Sequence, residues 1–290
     1  MLEWPFHLQR YPRPPCIAVT GSGIAEANRL VSAPPTPPSL PAQFRELSLP
    51  LDHDPQVGWR PHPQFGGSTP IVDAMSCHVS VLCTGRQPHL PHAHLEEELL
   101  VVLEGEGELV MPSGPDDRAP RLEPLPPGSF VYYPAFALHT ISNRAESPVT
   151  YLMFKWRGAP DETRNPLPTS VVRLPKAHDP PPADAFSADF LFEGSTAFLG
   201  KLHSHVTELP PGGGYAAHAD EHDVAIVVLS GRVVTNNRSL GRHGIVYFPA
   251  GEPHDMWNPW AETARYLVFE FHRPASARLS ESRSEVAACG

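Results

Sequence analysis

The chain has 290 residues, enough for one large domain or two ordinary ones, and 41% of them are hydrophobic, enough to fill real cores. Its 32 acidic against 22 basic residues leave a formal charge of −10, and no Lys/Arg cluster can face a row of phosphates, so nucleic acid is excluded as a partner. No apolar run approaches the roughly 20 residues of a membrane helix, and the opening MLEWPFHLQRYPRPP has no basic segment followed by an apolar core, so a cytoplasmic protein without a membrane partner is expected.

In chain order, residues 1–45 form an N-terminal extension whose APPTPPSLP stretch wraps a domain or hangs loose. Residues 46–158 form a first domain, 159–185 a proline-rich linker that reads as extended, 186–273 a second domain, and 274–290 a tail, either a frayed helix or disordered. The 37 prolines and 21 glycines break the chain too often for long helices and suit many short strands, so an all-β architecture is expected. Cys16, Cys77, Cys83 and Cys289 lack CxxC spacing, which argues against a disulfide framework or a thiolate zinc site. Cys77 and Cys83 read as small apolar strand residues.

The two domains repeat each other. VTYLMFKWRG around Tyr151 matches ARYLVFEFHR around Tyr266, and YYPAFALHTISN from Tyr132 matches YFPAGEPHDMWN from Tyr247, at one shared offset. Upstream, VVLEGEGELV pairs with VVLSGRVVTN, and CHVSVLCTG with SHVTELPPG; here the offset differs because the loop after Gly105 is longer than the one after Gly231. Runs such as LLVVLEG, FVYYP and AIVVLSG, rich in β-branched and aromatic residues and bounded by Gly or Pro, read as antiparallel strands of two tandem small sandwiches or barrels.

The first copy carries the densest chemistry, in PHAHLEEELLVVLEG. His92, His94 and Glu98 share parity, so on an extended chain their side chains leave one face. An amphipathic helix is the competing reading; the VV pair, Gly105 and Gly107, and DVAIVVLSG in the second copy stand against it. Beyond Glu98 the same face continues with Leu100 and Val102, an apolar floor.

With these residues placed, the chain resembles the cupin superfamily, and within it a bicupin, two cupin barrels in tandem. The first family motif appears as Gly85, His92, His94, Glu98 and Gly105, and the second as Gly128, Pro134, Phe136 in place of a glycine, His139 and Asn143. The resemblance covers residues 76–156 well and 203–271 more loosely. It implies double-stranded β-helix (jelly-roll) barrels, with a divalent metal held at the mouth of the first by His92, His94, Glu98 and His139. Three imidazoles and a carboxylate suit Fe(II), Mn(II), Ni(II), Co(II) or Zn(II), Fe(II) being favoured, and leave coordination positions for a guest.

In the second copy His218, Asp220, Val224 and His254 stand at the corresponding positions, so the glutamate is gone and the site reads as degenerate. His218, Asp220 and His222 share parity, however, and with His254 form a possible second N,N,N,O set. His78 and His205 occupy matching strands; His78 and His89 are the candidate acid–base groups. Ser80, Tyr133, Phe136 and Lys155 complete the candidate substrate pocket. Lys155 stands where the second copy has Glu270, and reads either as a partner for an anionic substrate group or as a solvated cation outside the barrel.

The expected function is that of a metal-dependent oxidoreductase, an Fe(II) dioxygenase acting on a small organic molecule in the first barrel. The alternatives are a metal-dependent isomerase, decarboxylase, lyase or hydrolase using the ion as Lewis acid, and a non-catalytic small-molecule-binding protein. A tandem pair supplies within one chain the pairing that single barrels obtain by dimerising, so a monomer or homodimer is expected.

Overall fold

The computed structural model describes residues 37–114, 116–160, 165–179 and 185–274. The expectations for residues 1–36, for the tail from residue 275, and for Cys16 and Cys289 lie outside the described residues. Among these, the chain is all-β, with nineteen strands and no helix long and apolar enough to cross a membrane. The first nine are β1 (Gln43–Arg45), β2 (Trp59–Gly67), β3 (Ala74–Leu82), β4 (Glu97–Glu104), β5 (Gly107–Met111), β6 (Arg121–Leu125), β7 (Phe130–Tyr133), β8 (Thr140–Ser142) and β9 (Val149–Arg157). There follow β10 (Ser170–Val172), β11 (Ser187–Gly194), β12 (Lys201–Leu209), β13 (Gly214–His218), β14 (Asp223–Ser230), β15 (Val233–Thr235), β16 (Arg238–Leu240), β17 (Ile245–Phe248), β18 (His254–Trp257) and β19 (Ala264–His272).

Each half is a six-stranded sheet facing a smaller one. The first pairs the order β10-β7-β4-β9-β3-β2 with β6-β5-β8, the second β1-β17-β14-β19-β12-β11 with β13-β18-β15-β16. The named strand pairs are antiparallel throughout. The sequence repeats fall on matching strands: YLMFKW on β9 and YLVFEF on β19, central in their sheets.

The apolar runs are continuous rather than alternating because both faces of each large sheet are covered. On β4, Leu100 and Val102 enter a core with Val131, Tyr133 and Met153 between the two sheets of the first half. Leu99, Val101 and Leu103 point the other way, into a second core shared with Ala225, Val227, Leu267 and Phe269 of the second half. The two large sheets therefore pack back to back, and a third core fills the second barrel. Burying each such side chain is worth about 1.5–3 kcal/mol relative to exposing it. Cys77 lies in the shared core and Cys83 is also buried, both as free thiols.

Reciprocal exchanges stitch the halves together. Strand β1, from the segment assigned to the N-terminal extension, adds to the second sheet through Gln43 opposite Tyr247 and Arg45 opposite Ile245. Strand β10, from the linker, adds to the first through Ser170 opposite Tyr132 and Val172 opposite Phe130. Two buried carboxylates repeat the exchange. Glu97 accepts hydrogen bonds from Tyr132 Oη (2.9 Å), Trp156 Nε1 (2.9 Å), Thr196 Oγ1 (2.7 Å) and the Ala197 amide (2.9 Å). Its counterpart Asp223 accepts from Tyr247 Oη (2.8 Å), Thr69 Oγ1 (2.6 Å) and the Ala250 amide (2.8 Å). Each carboxylate thus reaches a threonine in the loop of the other half; a buried charge is tolerated only when hydrogen-bonded in this way.

Candidate metal centre

The mouth of the first barrel brings His94, Glu98 and His139 together, with one ligating atom from each inside a mutual 4.8 Å. Glu98, near the start of β4, is fixed by register between Lys155 on β9 and Tyr133 on β7. His139 immediately precedes β8, and its backbone forms an antiparallel bridge with His92 through reciprocal 3.2 Å hydrogen bonds. The expectation that His92, His94 and Glu98 ride one strand face is therefore corrected. Only Glu98 is on a strand; His92 and His94 lie in the preceding irregular segment, where the chain crosses from the small sheet to the large one after Pro91. The cluster consequently spans both sheets.

The donor atoms could hold a cation. His94 Nδ1 bonds the Glu96 carbonyl at 3.0 Å and His139 Nδ1 bonds the Ala137 carbonyl at 2.8 Å. A carbonyl can only accept, so each Nδ1 is the N–H donor and each Nε2 of the neutral ring is left with a bare lone pair. Both Nε2 atoms face Glu98: His94 Nε2 lies 3.0 Å from Oε1 and His139 Nε2 3.0 Å from Oε2. Protonation would reconcile the contacts, but burial opposes it. His94 is held down to about 4, first by burial and then by the Lys155 charge, and His139 is lowered by burial. Lone pairs facing a carboxylate across 3.0 Å match donors on adjacent corners around one ion with bonds of about 2.1 Å.

His92 stands beside this group rather than within it. Its ring centroid is 5.0 Å from that of His94 and 5.5 Å from that of His139, and its Nδ1 is buried without a hydrogen-bond partner. Burial and then the neighbouring His89 hold it down to about 3. Lys155 points into the site, with Nζ 2.5 Å from Glu98 Oε1, so it is not a solvated cation on the outer wall. Burial lowers its pKa, against which Glu96 pulls upward.

The other pocket candidates divide. Leu100, Val102 and Tyr133 line the apolar core below the cluster, and Tyr133 stacks on the His139 ring with centroids 4.0 Å apart. Ser80 is buried. Phe136 does not line that interior: it adopts φ +62° where the second barrel has Gly251 at +84°, and it is 67% exposed. His78 shares the inward parity of Ser80 and Leu82 on β3 and is held down to about 4 by burial, then by Lys155. His89 lies in an exposed loop and meets His92 edge to face, with centroids 4.0 Å apart. Asn143 clamps the loop below, donating from Nδ2 to the Leu82 and Ser147 carbonyls; Asn258 does the same in the second barrel.

In the second barrel His218 ends β13 opposite His254, whereas Asp220 and His222 lie in the loop before β14, so here too a single extended strand is not what gathers the residues. The Nε2 atoms of His254, His218 and His222 lie 3.5, 3.6 and 4.0 Å from Asp220 Oδ2. The tautomer arrangement recurs, with His254 Nδ1 on the Glu252 carbonyl and His218 Nδ1 on the Ala216 carbonyl. Beside this set is a cluster the sequence reading missed, built around Glu270 with His222 and His272, and with His203 and His205 on the facing strand. The alternation in FEFH, which puts Glu270 and His272 on one face of a strand, was the available signal. Burial pushes Glu270 upward, but the hydrogen bond from His272 and the neighbouring His222, His203 and His205 hold it down to about 2.

No family model matches the chain, and no curated protein matches it. Solved structures do. A Pseudomonas aeruginosa protein assigned provisionally as glyoxylate-induced aligns with a TM-score of 0.54 at 15% identity, covering 74% of this chain and 81% of that one. A cupin 2 conserved barrel domain protein from Leptotrichia buccalis aligns at 0.49 and 13% identity, covering 73% and 88%. An oxalate decarboxylase from Bacillus subtilis aligns at 0.46 and 15% identity, covering 69% of each chain. At these identities the likeness is one of fold.

Proposed function

From the premise that the chain has the all-β fold of a two-barrel cupin, we propose that it is a metal-dependent enzyme acting on a small anionic organic molecule at the mouth of the first barrel. The observation that carries this reading is the pair of imidazoles whose Nδ1–H groups are given to backbone carbonyls while their bare Nε2 atoms face the Glu98 carboxylate. His94, Glu98 and His139 hold the ion as an N,N,O set with His92 beside it, which fits Fe(II) as well as Mn(II), Co(II), Ni(II) or Zn(II). Bound there, the ion supplies Lewis-acid polarisation or, as Fe(II), oxygen chemistry.

The protein groups do the rest. The Glu96 and Ala137 carbonyls fix the two rings in the ligating tautomer, as outer partners of metal-bound histidines do. Leu100, Val102 and Tyr133 exclude water from below. A divalent ion and the Lys155 ammonium outweigh the negative charges of Glu98 and of Glu96, whose Oε2 lies 3.5 Å from His94 Nδ1, since the imidazoles are neutral. A buried surplus of positive charge is costly, and an anionic group on the substrate, paired with Lys155 Nζ, removes it. To His78, neutral and inward-facing on β3, we assign the role of proton acceptor.

An Fe(II) dioxygenase is the specific reaction we put forward, and non-redox Lewis-acid chemistry is the alternative. Elemental analysis of the purified protein, followed by turnover with keto-acids, catechols, flavonoids and hydroxy-aromatics, separates them. Bound iron and substrate-dependent oxygen uptake support the dioxygenase; turnover without oxygen selects the alternative. A protein that takes up no divalent metal on reconstitution overturns both.

A further inference from the structure

We propose that the second barrel binds its own divalent transition metal at a site whose carboxylate has moved one strand sideways, to Glu270, with His222 and His272 as imidazole ligands. The register carries the argument. In the first barrel one row across the large sheet reads Ser76, Lys155, Glu98, Tyr133. In the second the same row reads His203, Glu270, Val224, Phe248. Val224 has replaced the carboxylate on β14, and its cross-strand neighbour on β19 has changed from lysine to glutamate. Adjacent strands are about 4.8 Å apart, so the carboxylate stays at the barrel mouth.

The surroundings of Glu270 have changed with it. Every side chain ion-paired with Glu270 among the described residues is a histidine: His272 Nε2 at 2.8 Å and His222 Nε2 at 3.5 Å from Oε2, and His205 Nδ1 at 3.8 Å from Oε1. One ligating atom each from His222, Glu270 and His272 falls inside a mutual 4.8 Å, as in the first barrel. Only the 2.8 Å contact is a good hydrogen bond; the longer ones fall in the range of about 3–4 Å between donors that share one ion with bonds of about 2.1 Å. The His222 and His272 rings stack at 4.0 Å, an arrangement that presents both Nε2 atoms to the same oxygen. All four side chains are only partly buried, which leaves an ion a way in. An imidazole-rich set with one carboxylate selects a borderline ion such as Zn(II), Co(II) or Ni(II) over Mg(II) or Ca(II).

No lysine takes the place of Lys155 beside Glu270; the Lys201 ammonium, whose charge reaches His222, is paired with Glu193 at 3.3 Å, and Asp220 lies 4.0 Å from His222, so an ion here has negative charge beside it without any guest. It therefore belongs to a tightly held, non-substrate ion rather than to a second reaction centre.

Co(II) titration of the metal-stripped full chain, read by visible absorption and by elemental analysis after desalting, tests the proposal. Wild type, E98Q, E270Q, H272Q and D220N are compared, with circular dichroism and thermal melts confirming that each is folded. The expected result is that E270Q and H272Q each lose one Co(II) equivalent that E98Q retains, together with its absorption bands. Wild-type stoichiometry in both folded variants overturns the site. So does loss of that equivalent in D220N alone, which would assign the ion to His218, Asp220 and His254. Because E98Q is scored separately, failure here is distinct from failure of the first-barrel reading.

Discussion

The two barrels share strands, register and loop clamps, and differ most informatively in one row of the sheet. Glu98 beside Lys155 in the first becomes Val224 beside Glu270 in the second. On the proposed reading, the first pairing sets a cation next to a metal-facing carboxylate and so leaves positive charge for an anionic guest to balance. The second withdraws the cation and surrounds the displaced carboxylate with imidazoles. On the proposed reading, the exchange at this row, with the histidines that accompany Glu270, separates a site arranged for turnover from one arranged for retention, on large sheets of matching register.

The sharpest way to break this comparison is to give the first barrel the residue of the second. E98V should lower first-barrel metal affinity and turnover by more than the roughly 10–100-fold that loss of an outer-shell partner costs. H139A should do the same, with the barrel still folded by circular dichroism, because ligands at the mouth contribute to binding more than to core burial. Metal titration and steady-state rates check both.

The reciprocal clamps come next. E97A strands Tyr132, Trp156 and Thr196 as buried donors, and D223A strands Tyr247 and Thr69. Each should cost about 3 kcal/mol in denaturant unfolding, with E97A the larger because it leaves more groups unpaired. A midpoint unchanged in either variant would mean that the two halves are not joined through these carboxylates.

K155M should raise KM for an anionic substrate about 10–100-fold, the worth of a charged hydrogen bond, while leaving metal content unchanged. An equal fall in metal content and turnover would instead make Lys155 part of the ion's support. The smallest effect belongs to the position where both barrels take a left-handed backbone, Phe136 and Gly251. G251F should cost about 1 kcal/mol in thermal or chemical unfolding, since its added Cβ meets open space and only backbone strain remains.

Much of this was legible in the sequence, and for physical reasons. A fold repeated within one chain repeats its apolar runs, so YLMFKW and YLVFEF announced matching strands; that their sheets are covered on both faces emerged only from the packing of the two halves. The family resemblance implied a cluster of His92, His94, Glu98 and His139; the structure gathers His94, Glu98 and His139 and leaves His92 beside them. The parity argument behind it did not hold, because convergence came from a chain crossing between sheets rather than from one strand. Strands β1 and β10 escaped notice because three residues carry no readable period, and their partners lie in the opposite half. Glu97 looked like one more acid in EEE; only the packing of one barrel on the other shows that it is buried.

The most direct test of the central claim is an anomalous-scattering map from crystals grown with Fe(II) or Mn(II). The account predicts a peak within bonding distance of Glu98, His94 Nε2 and His139 Nε2, with Lys155 Nζ moved off the carboxylate. No peak there, with Lys155 still seated on Glu98 as the site's cation, would contradict it.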